Sequence, residues 1–179
     1  MPYWTPVRAS SRPRFLNMPK LSAGLLVFRS DPSGGLEVFL VHPGGPLWAR
    51  KDEGAWSIPK GEYEAGEEPL AAARREFTEE TSFEPPDPPF IALGSVQQRS
   101  GKVVHAWAAE ASLDPSRLRS DSFSMEWPPG SGKQREFPEV DRGAWFSAAE
   151  AKRRIVPAQK PFIEALERLC AAGGGHPLG

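Results

Sequence analysis

Apolar positions recur in short runs along the first half of the chain. Leu21–Arg29 (LSAGLLVFR) and Leu36–His42 (LEVFLVH) are rich in branched and aromatic side chains and flank Asp-Pro-Ser-Gly-Gly. They predict two strands of a hairpin. Pro43–Ala55 carries Gly and Pro and predicts a loop, and Trp56–Pro59 a brief strand. From Glu68 to Thr81 the period changes. Leu70, Phe77 and Thr81 share one face at about 100° per residue, the stripe of a helix docked on a core. Pro85–Pro89 is a stiff connector. Phe90–Gln98 and Val103–Glu110 predict a second hairpin around Ser100-Gly101, and Leu113–Gly132 is polar and loop-like. Glu139–Phe146 returns as a strand, followed by helices over Ser147–Ile155 and Pro161–Ala171. Strands alternating with helical stretches predict an α/β or α+β sandwich.

Composition narrows the class. The 179 residues fit one domain, expected over 20–171, between a leader (1–19) and a flexible tail (172–179). A net charge of −1 draws the chain to neither nucleic acid nor a membrane surface. No apolar run approaches the roughly 20 residues of a membrane span. The single cysteine, Cys170, excludes an internal disulfide framework and predicts a reducing, cytoplasmic setting. It shares a helical pattern with Phe162, Leu166 and Leu169, so packing is expected of it rather than nucleophilic attack. The acid-free, proline-rich leader lacks the apolar centre of a secretory signal. A disordered segment, or a natural start at Met18, is expected there ahead of a targeting role.

The helix over 68–81 carries the chemistry on its other face. Glu76 and Glu80 lie one turn apart and Glu79 beside them. Like charges at that spacing cost roughly 0.2–0.5 kcal/mol per pair. A hard divalent cation, Mg²⁺ or Mn²⁺, converts that repulsion into affinity. The plain alternative is an acidic, solvated helix.

The stretch Gly61–Phe83 (GEYEAGEEPLAAARREFTEETSF) resembles the Nudix box, G-x5-E-x7-R-E-U-x-E-E-x-G-U with U bulky and apolar. Gly61, Glu67, Arg75, Glu76, Phe77, Glu79, Glu80 and Phe83 fall on the pattern, and Ser82 stands where the family has glycine. That glycine sits at the helix end, so a serine with positive φ there costs on the order of 1–2 kcal/mol. The resemblance implies the Nudix fold, a mixed β-sheet sandwiched between α-helices. It also implies metal ligation by Glu76, Glu79, Glu80 and the Gly61 carbonyl, with Glu67 paired to Arg75 to hold the box rigid.

Trp56-Ser-Ile-Pro-Lys-Gly resembles the pre-box stretch of diadenosine polyphosphate hydrolases, which sets Lys60 over the phosphates. Arg50 and Lys51 extend that cationic wall, and Trp48, Tyr63, Phe123 and Trp127 are the flat side chains available to an adenine. A later carboxylate is expected from Glu136 or Glu139. Glu139 precedes Trp145 by six residues, as a glutamate does in those hydrolases. The base stays open among Glu79, Glu80 and Glu139. His42 and His105 are expected to be packed or at a strand edge. The SQPWPFPxS array of NADH-cleaving relatives and the LLTxR pattern of coenzyme A relatives are missing. No tyrosine follows Tyr63, where polyphosphate hydrolases often have one. The expectation is a Mg²⁺- or Mn²⁺-dependent pyrophosphohydrolase of nucleoside diphosphate derivatives, with diadenosine polyphosphates favoured. A nucleoside triphosphate pyrophosphohydrolase and a non-catalytic nucleotide sensor are the alternatives. The partner is a small-molecule nucleotide, and the oligomeric state is left open.

Overall fold

In the computed structural model, which describes residues 18–173, the first two apolar runs form β1 (Leu21–Ser30) and β2 (Leu36–Pro43). They are antiparallel, with Phe28 opposite Val38. Asp31 shapes the turn, accepting from the backbone N–H groups of Ser33 and Gly35 at 2.6 and 2.9 Å. The readings of residues 1–17, including the start at Met18, and of the tail beyond 173 lie outside the described residues.

β1 is buried from Ser22 to Phe28, as a central strand covered on both faces must be. Along one edge β5 (Val103–Glu110) runs parallel to it, from Leu21 opposite Val103 to Phe28 opposite Glu110. Along the other edge β3 (Lys60–Tyr63) pairs with its first half and β2 with its second. β4 (Ile91–Gln97) pairs with β5, and β8 (Val140–Ser147) with β2. The result is a mixed six-stranded sheet.

Helices cover both faces. α1 (Pro69–Thr81) sets Ala72, Ala73 and Phe77 against Leu25, Val27 and Phe39. On the other side α2 (Ala148–Arg154) and α3 (Lys160–Ala172) pack Ala151, Ile163 and Leu166 against Leu26, Phe28 and Val104. The expected sandwich is therefore the observed one. Among the described residues no helix is long and apolar enough to cross a membrane.

α1 starts where Glu68 accepts from the N–H groups of Leu70 and Ala71 at 3.1 and 2.8 Å, with Pro69 in its first turn. It ends at Ser82, which is left-handed at φ 60°. The Ser82 hydroxyl donates to the Arg119 carbonyl at 2.8 Å, a bond the family's glycine has no atom to make.

Three expectations are corrected. Trp56–Pro59 makes only single bridges, Ser57 with Val41 and Trp56 with Ile155, and the strand begins at Lys60 instead. There the chain passes from β2 to β1. Gly24 permits the crossing, because a Cβ on it would meet the Pro59 carbonyl oxygen at 2.5 Å. Leu113–Gly132 is not loop throughout. β6 (Ser122–Glu126) pairs with β7 (Gln134–Pro138) in a hairpin separate from the main sheet, with Phe123 opposite Phe137. Cys170 is exposed, since the last turn of α3 buries no side chain. His42, in contrast, is fully buried, between Asp141 (Nδ1 at 3.0 Å) and the Lys51 carbonyl (Nε2 at 2.6 Å).

Ser82 gives a stability test. Glycine relieves about 1–2 kcal/mol of left-handed strain and forfeits a hydrogen bond worth about 0.5–1.5 kcal/mol. Ser82→Gly should therefore unfold in urea within about 1 kcal/mol of the wild type. Ser82→Ala keeps the strain and loses the bond, and should be less stable by about 1 kcal/mol. Equal midpoints for the two variants would mean that the left-handed cap carries no strain.

Candidate active site

α1 packs on β1 through its apolar stripe, which turns its acidic edge toward β3 and the loop after β2. At the closest approach Glu76 is buried and its carboxyl group lies directly against Gly61, where any Cβ would collide with it. Only glycine lets the ligand helix sit this close to the strand. Glu80, on the next turn, accepts from the Lys60 backbone N–H at 2.9 Å.

Arg75 ties the acids together. Its Nε and Nη2 donate to the two Glu67 oxygens at 3.0 and 3.2 Å. Its Nη1 reaches Glu76 at 2.6 Å and Glu79 at 3.2 Å, and Nη2 touches the Glu62 carbonyl at 3.4 Å. One guanidinium thus orients three carboxylates and a strand. A bidentate, networked geometry is where an arginine–carboxylate pair holds a structure best.

These groups line a cavity of about 600 Å³. Glu76, Glu79 and Glu80 form one wall, and Glu139, in the turn between β7 and β8, joins them. Lys60 and Lys102 enter from the sheet. Trp48 and Leu47 come from the loop after β2, and Phe123 and Met125 from the β6–β7 hairpin. The hairpin is fastened to α1 by backbone bonds: Asp121 N–H donates to the Glu79 carbonyl at 3.0 Å, Glu139 to Asp121 at 2.8 Å, and Gly44 to Glu139 at 2.9 Å.

Sequence-predicted residues divide into two groups. Lys60, Gly61, Glu76, Glu79, Glu80, Glu139, Trp48 and Phe123 meet at the cavity, with Glu67 and Arg75 behind them. Tyr63, Arg50, Lys51, Glu136 and Trp127 lie outside the lining. Tyr63 packs edge-on to His105, and Lys51 places its ammonium 4.7 Å from the Trp48 ring centre. Lys102, Asp121, Met125, Leu47 and Ser22 line the cavity with no advance signal in the sequence, because only the sheet pairing and the separate hairpin bring them there.

Electrostatics mark the wall. Burial pushes the Glu80 carboxyl up to about 8, against the pull of Lys60. Burial also raises Glu76, with Arg75 opposing, and raises Glu139, reinforced by Asp121 and Glu79. Burial moves Lys60 the other way, below its ordinary value. A desolvated carboxylate cluster of this kind favours a compact cation. Among the described residues no three potential metal-binding side chains already converge on one point, since Arg75 spans Glu76 and Glu79. The donor chemistry, hard oxygens against a glycine seat, suits a divalent ion.

The fold and this wall define a class, and sequence comparison bears it out. The chain belongs to the NUDIX domain family, whose model matches residues 18–166. A nucleoside triphosphate pyrophosphatase/Nudix hydrolase fusion protein of Bifidobacterium longum (strain NCC 2705) is 28% identical over 113 residues, 60% of this chain and 23% of that protein. The chain thus spans less than a quarter of that relative's length. Among solved structures, a C. elegans Ap4A hydrolase binary complex superposes with a TM-score of 0.61 at 19% identity, covering 84% of this chain and 98% of that one. The NUDIX domain of Shewanella oneidensis NrtR, complexed with ADP ribose, gives 0.59 at 18% identity over 90% and 95%. At such identities the likeness is one of fold. Nudix hydrolases generally need divalent metal ions.

The Glu80 shift has a measurable sign in the metal-free protein. Its ordinary value of 4.5 applies to the unfolded chain and about 8 to the folded one. Between these the folded state holds the extra proton, so stability is greatest below the lower value and is lost as pH rises toward the upper one. With a chelator present, the melting temperature should drop by about 3–8 °C from about pH 5.5 to 8. Glu80→Gln should flatten that drop. A wild-type profile as flat as that of the variant would count against the buried carboxyl.

Proposed function

We propose that the chain is a metal-dependent pyrophosphohydrolase that splits a phosphoanhydride in nucleoside diphosphate derivatives, with diadenosine polyphosphates the favoured substrates. One observation carries the reading: a single cavity is lined by the carboxylates of Glu76, Glu79, Glu80 and Glu139, by Lys60 and Lys102, and by the aromatic and apolar side chains of Trp48, Phe123, Leu47 and Met125. Phosphate groups match the charged side chains once a divalent ion is present, and a planar base matches the aromatic and apolar ones.

The roles divide as follows. Glu76, Glu79 and Glu80 with Gly61 would hold Mg²⁺ or Mn²⁺, which supplies charge neutralisation on the phosphates and activates water. Arg75, held by Glu67, keeps these ligands in register. Glu139 approaches from outside the helix, which leaves it free to take a proton from the attacking water. Lys60 neutralises a phosphate oxygen. Trp48 and Phe123 supply flat faces for a base.

Two further readings have support. The Bifidobacterium longum relative is named a nucleoside triphosphate pyrophosphatase fusion, and the missing later tyrosine weakens the diadenosine preference, so a triphosphate is the second choice. The fold shared with the NrtR domain bound to ADP ribose keeps a nucleotide-sensing role as the third.

A nucleotide panel incubated with Mg²⁺ or Mn²⁺ and resolved by chromatography separates them. ATP plus AMP from diadenosine tetraphosphate supports the favoured reading. Pyrophosphate from a triphosphate supports the second, and tight binding without turnover the third. Glu80→Gln should lower turnover by at least about 10²-fold with the fold intact. Near-normal rates in that variant would displace the active site from α1.

A further inference from the structure

His42 is completely buried, yet both of its ring nitrogens meet oxygen atoms. Nδ1 lies 3.0 Å from Asp141 Oδ1, and Nε2 lies 2.6 Å from the Lys51 carbonyl oxygen. A backbone carbonyl only accepts, and both Asp141 oxygens already accept from Arg142 Nη1 at 3.3 and 3.4 Å. A neutral imidazole donates from one nitrogen and would aim a lone pair at the other oxygen. Only a ring with hydrogen on both nitrogens satisfies the two contacts.

The sequence builds this contact at an irregularity of the sheet. His42 pairs with Arg142 and Pro43 with Val140, so Asp141 is the extra residue of a β-bulge. Bulges re-aim side chains, and this one turns Asp141 to the His42 ring. The other charged groups around the ring are themselves paired. Arg142 shares Asp141 and lies 5.2 Å from the centre of the Trp56 ring, which packs T-shaped on His42. Asp52 accepts from Trp56 Nε1 at 2.7 Å and pairs with Arg154 of α2.

What the ring holds is the turn that brings Leu47 and Trp48 to the cavity. Lys51 N–H donates to the Trp48 carbonyl at 2.9 Å, and the Lys51 ammonium sits 4.7 Å from the centre of the Trp48 ring. His42 thus grips the residue on which Trp48 rests, while Asp141 stands two residues after Glu139. We infer that His42, with hydrogen on both ring nitrogens, is a positioning residue that pins the Trp48 turn to the start of β8 and so sets the affinity for substrate. Its effect on turnover rests on the proposed hydrolase reading, whereas the state of the ring does not. Glu139 is held separately, by Asp121 and Gly44, so the chemical step is spared.

The test uses the full chain with His42→Phe and Asp141→Asn. An asparagine can turn its amide N–H toward Nδ1, so a neutral ring then serves both contacts. At neutral pH, NMR of the wild type should show one of the chain's three histidines with hydrogen on both ring nitrogens. Those signals should vanish in His42→Phe and reduce to one ring N–H in Asp141→Asn. Calorimetry with Mg²⁺ and α,β-methylene-ADP, whose bridge resists hydrolysis, should show about tenfold weaker binding in His42→Phe and binding within about threefold of wild type in Asp141→Asn. In turnover the KM should follow the same order, with kcat in both variants within about threefold of the wild type. A wild-type His42 ring with a bare nitrogen, or equal affinities in the wild type and His42→Phe, overturns the anchor. If His42→Phe fails to fold, the wild-type and Asp141→Asn spectra decide. The doubly protonated ring and the binding loss, in a protein that cleaves nothing in the panel, sustain the anchor and overturn the hydrolase reading instead.

Discussion

The arrangement of this molecule depends on one close approach, the Glu76 carboxyl group against the Cα of Gly61. It brings the helix bearing the acids within reach of the strand bearing the lysine. The apolar stripe of α1 sets the distance: Ala72 and Ala73 are small enough to let the helix settle on β1, and Phe77 fills the space between Leu25 and Phe39. Larger side chains at the alanine positions would lift the helix off the sheet, and the acids would face open solvent. Packing on one face of α1 therefore determines the electrostatics on the other.

The electrostatics in turn need a counterweight inside the protein. Three glutamates along one helix edge, two of them desolvated, repel each other and Glu139. Arg75 and Lys60 offset part of that repulsion, one from the helix surface and one from the strand. Burial is the larger part of what holds Glu80 raised, and repulsion from Glu76 and Glu139 adds to it. A divalent ion would offset both, which is the chemical ground for the proposed metal site.

The main sheet, the three helices and the acidic edge were legible in the sequence because each follows from a short period. β1, β2 and β5 are continuous apolar runs, and α1 repeats on a helical step. The β6–β7 hairpin was not legible. Its apolar positions, Phe123, Met125 and Phe137, are few, and it pairs only with itself, so no core imposes a strong alternation. The brief strand expected at Trp56–Pro59 moved to Lys60–Tyr63 because the chain changes partner strands there, which no local pattern records. Among site residues, Glu76, Glu79 and Glu80 came from helical spacing, and Gly61, Glu67 and Arg75 only from the resemblance to the Nudix box. Lys102 and Ser22 depend on the register of β1 against β5 and β3, a long-range property that the residues themselves do not announce. Arg50 and Lys51 are exposed and outside the cavity lining, Lys51 lying over the ring of Trp48 instead.

The separate hairpin carries one further implication. It contributes Phe123 and Met125 to the cavity yet shares no ladder with the main sheet, and the backbone bonds that hold its base run through Asp121 and Glu139. Residues between those two anchors can change in length or composition while the backbone bonds at Asp121 and Glu139 stay in place. Evolution, or an engineer, is thus handed an exchangeable cassette. Swapping it would change the aromatic and apolar lining of the cavity and leave the glutamates of α1 where they are.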